Sequence, residues 1–366
     1  MSRYTVAVVG TGPDPANPTV ESFAMGYRHA EAYRNHPDCE LVACADIVPE
    51  NAAAFAEEFG IDEGNVFEDY EAMAEAVEPD LVSVTVPPDV HEQVVVDLAE
   101  TGVVDAVHCE KPMADTLAAA ERMVDTCDEL GVQLTFNRQR RFGKPFTEAK
   151  RLLEDGAIGD LRRVEIAWGD FFDTGAHTVD LAGMFNGEDP AEWVIAQLDY
   201  REEDRRFGVH QENQIWAQWR YENGVYGVMS TGEGTDFLDC AMSLRGSDGE
   251  IRIDVEGGPM LELRADGDER VVNVDGETMH ATGDEEGRFG SRFHDRAVAD
   301  VVEALSSGEE SQLSGRIGLQ TARVIFGGYE SVRRRGRVDL PAEVRDNPFL
   351  DLVESGELSP EPADEE

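Results

Sequence analysis

The chain has 366 residues and a formal charge of −46, from 31 Lys and Arg against 77 Asp and Glu. That charge excludes nucleic acid and anionic membranes as partners, because both need a basic patch. A hydrophobic share of 41% excludes a disordered acidic chain. Excess acid with only three lysines (Lys111, Lys144 and Lys150) is the expected surface of a halophilic protein, soluble where salt screens self-repulsion. Five cysteines without a CxxC pair argue against a disulfide framework or a zinc site and fit a reducing, cytoplasmic compartment. The sequence enters a strand by residue 4, so no signal peptide is expected, and no apolar run approaches the roughly 18 residues of a membrane span.

Residues 1–136 alternate strand and helix. Apolar runs at Thr5–Val9, Leu41–Ala45, Leu81–Val86, Val103–His108 and Gln133–Phe136 read as buried strands, with helical patterns over 50–59, 68–77, 90–101 and 115–130 between them. This alternation predicts a doubly wound parallel sheet, a Rossmann-type domain. A helix over 144–155 follows. From Leu161 the spacing predicts strands over 161–168, 193–200, 212–221, 225–231, 238–245, 249–255, 259–264 and 269–274. The turns Glu222-Asn223-Gly224, Gly246-Ser247-Asp248-Gly249 and Asp266-Gly267-Asp268 read as hairpins. Helices over 289–306 and 314–335 close a second, α+β domain with an open, mostly antiparallel sheet. We therefore expect domains at 1–136 and 137–345, and an acidic tail over 346–366.

Four places carry chemistry. The first is Gly10-Thr11-Gly12, whose third small residue is displaced by an insertion at Pro13–Phe23 and resumes at Gly26. Asp46 lies 20 residues beyond Gly26, where a carboxylate would accept from an adenosine ribose; that favours NAD over NADP. Taken singly, these residues are also a plain glycine turn and a helix N-cap. The second is Pro87 with His91, which alone reads as a proline turn opening a helix. The third is Glu110-Lys111-Pro112, a surface turn taken alone, yet placed by the apolar run before it at the sheet edge that carries Gly10, Gly12 and Asp46. Lysine, unlike arginine, can lose a proton and act as a point donor. The fourth is Asp173, His177 and Asp180, spaced to share one helix face. Asp173 alternatively N-caps that helix. A metal here is set aside because the ligand set is thin. Acid/base work by His177 is the better reading.

Together these motifs resemble the glucose–fructose oxidoreductase, inositol dehydrogenase and MocA family. The resemblance runs from residue 3 to Pro341 and also rests on His29, on Asn137 with Arg141-Phe142, and on the ending Tyr329-Glu330-Ser331 to Leu340-Pro341. It implies an NAD(P)-dependent oxidoreductase acting on a secondary alcohol of a sugar, inositol or related polyol. Gly10, Gly12, Gly26, Asp46, Pro87, His91, Glu110 and Lys111 would hold the cofactor, and Asn137, Arg141, Asp173 and His177 the substrate. Lys111, His177 and Asp173 would be catalytic. It further implies a homodimer or homotetramer through the second sheet. A redox-neutral glycoside hydrolase and a non-catalytic ligand sensor are the alternatives on the same fold.

Overall fold

The computed structural model describes residues 3–16, 24–206, 209–280 and 291–361. The expected insertion at Pro13–Phe23 therefore lies outside the described residues from position 17 onward. In chain order the elements are β1 (Tyr4–Val9), α1 (Met25–Asn35), β2 (Cys39–Ala45), α2 (Pro49–Phe59), β3 (Val66–Phe67), α3 (Tyr70–Val77), β4 (Leu81–Val84), α4 (His91–Glu100), β5 (Ala106–Cys109), α5 (Leu117–Leu130) and β6 (Gln133–Phe136). Then come α6 (Lys144–Glu154), β7 (Leu161–Ala167), α7 (Gly175–Phe185), β8 (Ala191–Asp199), β9 (Arg205–Arg206), β10 (Val209–His210), β11 (Gln214–Tyr221) and β12 (Tyr226–Ser230). The chain ends with β13 (Cys240–Gly246), β14 (Gly249–Val255), β15 (Leu261–Ala265), β16 (Asp268–Val271), α8 (Arg292–Ser307), α9 (Gly315–Arg334), β17 (Val338–Asp339) and α10 (Pro348–Glu354).

These elements form two compact units. The first comprises Met1–Ala114, Ala119–Gln139 and Asp284–Gly318. Its sheet is parallel throughout, in the order β3-β2-β1-β4-β5-β6. The strand order reverses beside β1, and ligands of such sheets bind beyond the carboxyl ends of the strands at that point. Val6, Ala7 and Val8 of β1 are wholly buried, as a strand covered on both faces requires. On α2, Ala52, Phe55 and Ala56 share one face and join Val8, Tyr27, Ala30 and Cys44 in a single cluster. The Phe55 ring meets Tyr27 edge-on at 5.1 Å; full burial of such a side chain contributes about 2–3 kcal/mol. Helix α8 packs on α1. The first unit is thus discontinuous in sequence, unlike the expected break at 136.

The second unit comprises Asp115–Ala118, Arg140–Gly283 and Leu319–Glu366. Its nine-stranded sheet runs β16-β15-β14-β13-β7-β12-β11-β8-β17, antiparallel except where β7 and β12 pair in parallel. All three expected hairpins are present. In the last, Asp266 (φ 57°) and Gly267 (φ 83°) adopt the left-handed conformations of a tight hairpin turn. Strict alternation along β8 and β11 buries Val194, Ala196, Ile215, Ala217 and Trp219 and leaves Ile195 (43%) and Trp216 (44%) exposed on the other face. The expected tail from 346 is corrected at its start. Asn347 caps α10 by accepting from the amides of Phe349 and Leu350, and the Phe349 ring stacks on Tyr329 at 5.2 Å. Two apolar residues, Phe349 and Leu352, are enough to fold an otherwise acidic segment back onto the unit.

Candidate active site

In the first unit the glycine turn leaves β1 at its carboxyl end. A Cβ on Gly10 would stand 2.6 Å from Val86 Cγ1 and 2.9 Å from the Val86 nitrogen, and one on Gly26 would stand 2.8 Å from the Thr11 carbonyl. Both positions therefore demand glycine. The residue before α1, Ala24, has no side chain that could cap the helix. Asp46, at the end of β2, accepts from Gly12 N–H (2.9 Å) and the Thr11 hydroxyl (3.0 Å), and through its other oxygen from Val48 N–H (2.9 Å). The carboxylate is tied to the glycine turn rather than to α2, whose N-terminus it precedes. A narrow glycine cradle at the head of a helix and a fixed carboxylate fit a dinucleotide.

Glu110-Lys111-Pro112 follows β5 at the same edge. Glu110 is buried and accepts from His29 Nε2 (2.7 Å) and Asn137 Nδ2 (2.6 Å) through one oxygen and from Lys111 N–H (3.1 Å) through the other. Burial alone would raise its pKa, but the His29 hydrogen bond and charge, with Lys111 and Asn137, hold it down at about 2. His29 Nδ1 meets the Ser83 hydroxyl at 2.8 Å, and its ring stacks on His108 at 5.1 Å. This network fixes the backbone that carries Lys111, which is itself half-exposed. His91 is wholly buried, and its nitrogens meet the carbonyls of Val86 (2.9 Å), Pro112 (3.0 Å) and Met113 (3.1 Å). Burial pushes its pKa down. It thus pins the turn after β5 to the turn after β4, while Pro87 is exposed beside it. Asn137, expected to touch substrate, is 1% exposed with its amide donated to Glu110.

In the second unit the Asp173-to-Asp180 motif divides differently from the expected single helix face. Helix α7 begins at Gly175, so Asp173 precedes it. No side chain caps α7; Asp170 instead ties the turn before it, accepting from the amides of Asp173 (2.6 Å) and Thr174 (3.0 Å) and from the Thr174 hydroxyl (2.7 Å). His177 lies in the first turn, 2% exposed, and Asp173 is half-exposed. Asp180 faces Arg141 instead of His177. Arg141 donates Nε and Nη2 to the two Asp180 oxygens (2.6 and 2.7 Å) and Nη1 to Glu188 (2.6 Å). Arg141, expected at the substrate, is 2% exposed and joins α7 to the segment before α6.

Two residues of this unit were not found from sequence. Asp170 had a readable signal, an Asx residue four positions before a Thr-Gly helix start. Glu212 had none. It is buried, accepts from Phe171 N–H (2.7 Å) and the Tyr329 hydroxyl (2.9 Å), and is pushed up to about 7 by burial and then by the Asp170 charge. Among the described residues no cluster of three or more His, Cys, Asp or Glu could hold a metal, and no helix is long and apolar enough to cross a membrane.

The model of an oxidoreductase family with an NAD-binding Rossmann fold matches residues 5–138, and that of the family's C-terminal α/β domain matches residues 150–340. A D-apiose dehydrogenase of Paraburkholderia graminis is 26% identical over 97% of this chain and 95% of its own length. A myo-inositol 2-dehydrogenase of Thermotoga maritima is 23% identical over 86% and 96%. A levoglucosan dehydrogenase solved with NADH and L-sorbose has the same fold, with a TM-score of 0.74 at 20% identity, covering 93% of this chain and all of that one.

Proposed function

Because the chain belongs to the NAD-binding oxidoreductase family of glucose–fructose oxidoreductase, inositol dehydrogenase and MocA, we propose that it oxidises a secondary alcohol of a sugar, inositol or related polyol. The observation that supports this most is the Glu110, His29 and Asn137 network, which fixes Lys111 at the sheet edge that carries the glycine cradle. Gly10, Gly12 and Gly26 would admit the dinucleotide, and Asp46 would accept from its ribose, which disfavours a 2′-phosphate and favours NAD over NADP. Bound NAD supplies the hydride acceptor.

The chain's own residues do the rest. His177 accepts the hydroxyl proton. Lys111 holds the developing alkoxide by its positive charge, and Asp173 orients a neighbouring hydroxyl. Glu110 and His91 act through Lys111 by holding its turn, and Arg141 acts through His177 by holding α7. The exposed face with Ile195 and Trp216 supports assembly into a homodimer or homotetramer through the second sheet. Lys111→Ala and His177→Ala should each lower kcat by at least about 100-fold while leaving the folded signal intact. Near-normal turnover in either variant removes that residue from the mechanism.

A further inference from the structure

Arg140 and Arg141 are neighbours in sequence with opposite fates. Arg141 is bracketed by Asp180 and Glu188. Arg252, the other arginine of this unit with a fully buried side chain, is paired with Glu262 at 3.0 Å and with Asp239. Arg140 has no carboxylate within ion-pair distance among the described residues. Its guanidinium lies over the Trp168 ring at 4.4 Å, and Nη2 reaches His280 Nδ1 only at 3.5 Å. His280 in turn meets Trp168 edge-on at 5.2 Å. Arg140 Nη1 is shut off from solvent and finds no hydrogen-bond partner among the described residues.

Such an arrangement is unusual in this chain. With 77 acids available, an ion pair for this half-buried guanidinium would be easy to supply, and none is made among the described residues. The Trp168 ring beneath Cζ restrains the guanidinium and leaves its N–H groups to donate to the side, as a carboxylate requires. Burial draws the Arg140 pKa down to about 10, and Asp173 and Asp170 offset this only in part. Arg140 therefore stays charged at neutral pH, with its Nη1 donor still lacking an acceptor among the described residues. Asp173, whose field reaches it most strongly, is the residue proposed above to bind a substrate hydroxyl.

We propose that Arg140, held over the Trp168 ring with Nη1 unpartnered among the described residues, binds a carboxylate of the substrate, so that the preferred polyol is a sugar acid of the aldonate or uronate class. This rests on the oxidoreductase reading above. A carboxylate fits better than a phosphate, because the nearby Asp170 and Asp173 charges repel a doubly charged group more strongly than a singly charged one. Arg140 is then a specificity residue and not part of the proton or hydride path.

The experiment compares D-gluconate and D-glucuronate with sorbitol and D-glucose, and with glucose 6-phosphate, as substrates with NAD in molar salt, for the wild type, Arg140→Gln and Arg140→Lys. The expected result is a kcat/KM for the acids above that for the neutral compounds. Arg140→Gln should lower that ratio by at least about 30-fold, mainly through KM. Arg140→Lys should restore part of it. An unchanged ratio in Arg140→Gln, or a preference for the phosphate, overturns the proposal. A second readout keeps the two readings apart. Calorimetry of gluconate on the NADH-bound protein should show binding that Arg140→Gln weakens by a similar factor. Binding that depends on Arg140 without NADH formation from any compound keeps the carboxylate site and sinks the dehydrogenase. Turnover of neutral polyols with no Arg140-dependent selectivity does the reverse.

Discussion

Glu110 and Glu212 are both buried carboxyls, and their surroundings drive them in opposite directions. Glu110 receives two charge-assisted hydrogen bonds and stays ionised down to about 2. Its stabilising contribution is present above its ordinary value of 4.5 and is lost as pH falls through about 2. Glu110→Gln should cost about 2–4 kcal/mol in urea denaturation at neutral pH, because His29 and Asn137 lose their anionic partner. An unchanged midpoint would mean that the network contributes nothing to the fold. Glu212 is raised to about 7, so its contribution is full below 4.5 and is lost as pH rises through about 7. Wild-type stability should therefore fall across neutral pH, and Glu212→Gln should flatten that fall. Identical pH profiles for the two proteins would contradict the assignment.

Residue types were legible at this scale, but their partners were not. Lys111, His177 and Asp173 stand out by rarity and spacing. Asn137 and Arg141 look equally chemical in sequence, yet the fold uses both as internal donors. Nothing in a linear order tells which of two adjacent arginines faces a carboxylate.

Among elements, the short loop ahead of α7 controls how Asp173 and His177 are presented. Asp170 ties its amides and Glu212 anchors Phe171. Asp170→Ala should destabilise the protein by about 1–3 kcal/mol, the scale of hydrogen bonds lost in a tied turn, and should lower kcat as well, because Asp173 then moves. Intact kcat at normal stability would show that Asp170 does not position the site. The long strands and helices were legible because their periods, two and 3.6, repeat over enough residues to be read. Two-residue strands such as β3 and β17 carry no period at all. Helix α10 was missed because its seven residues are too few to show a helical period. Phe349→Ala should cost about 3 kcal/mol or more, measured by thermal denaturation; a loss below about 1 kcal/mol would mean that α10 is only loosely attached.

At the scale of the molecule, charge and chain topology dominate. A net charge of −46 on a folded chain repels itself, and salt screens that repulsion. The denaturation midpoint should rise between about 0.1 M and about 3 M KCl; a flat or falling curve would contradict the halophilic reading of the composition. The parallel order of the first sheet and the mainly antiparallel second sheet were legible from the alternation of elements. The return of α8 to the first unit was not, because amphipathic spacing shows that a helix has a buried face without showing which core receives it.

The most direct test of the account is the stoichiometry of a single reaction. With NAD, a polyol or sugar-acid substrate and the wild-type protein in molar salt, NADH absorbance and keto product are measured together. The account predicts one NADH for each molecule of keto product, and a loss of both in Lys111→Ala and His177→Ala. Product formed without net NADH would instead place the chain among redox-neutral enzymes that return the hydride in each cycle.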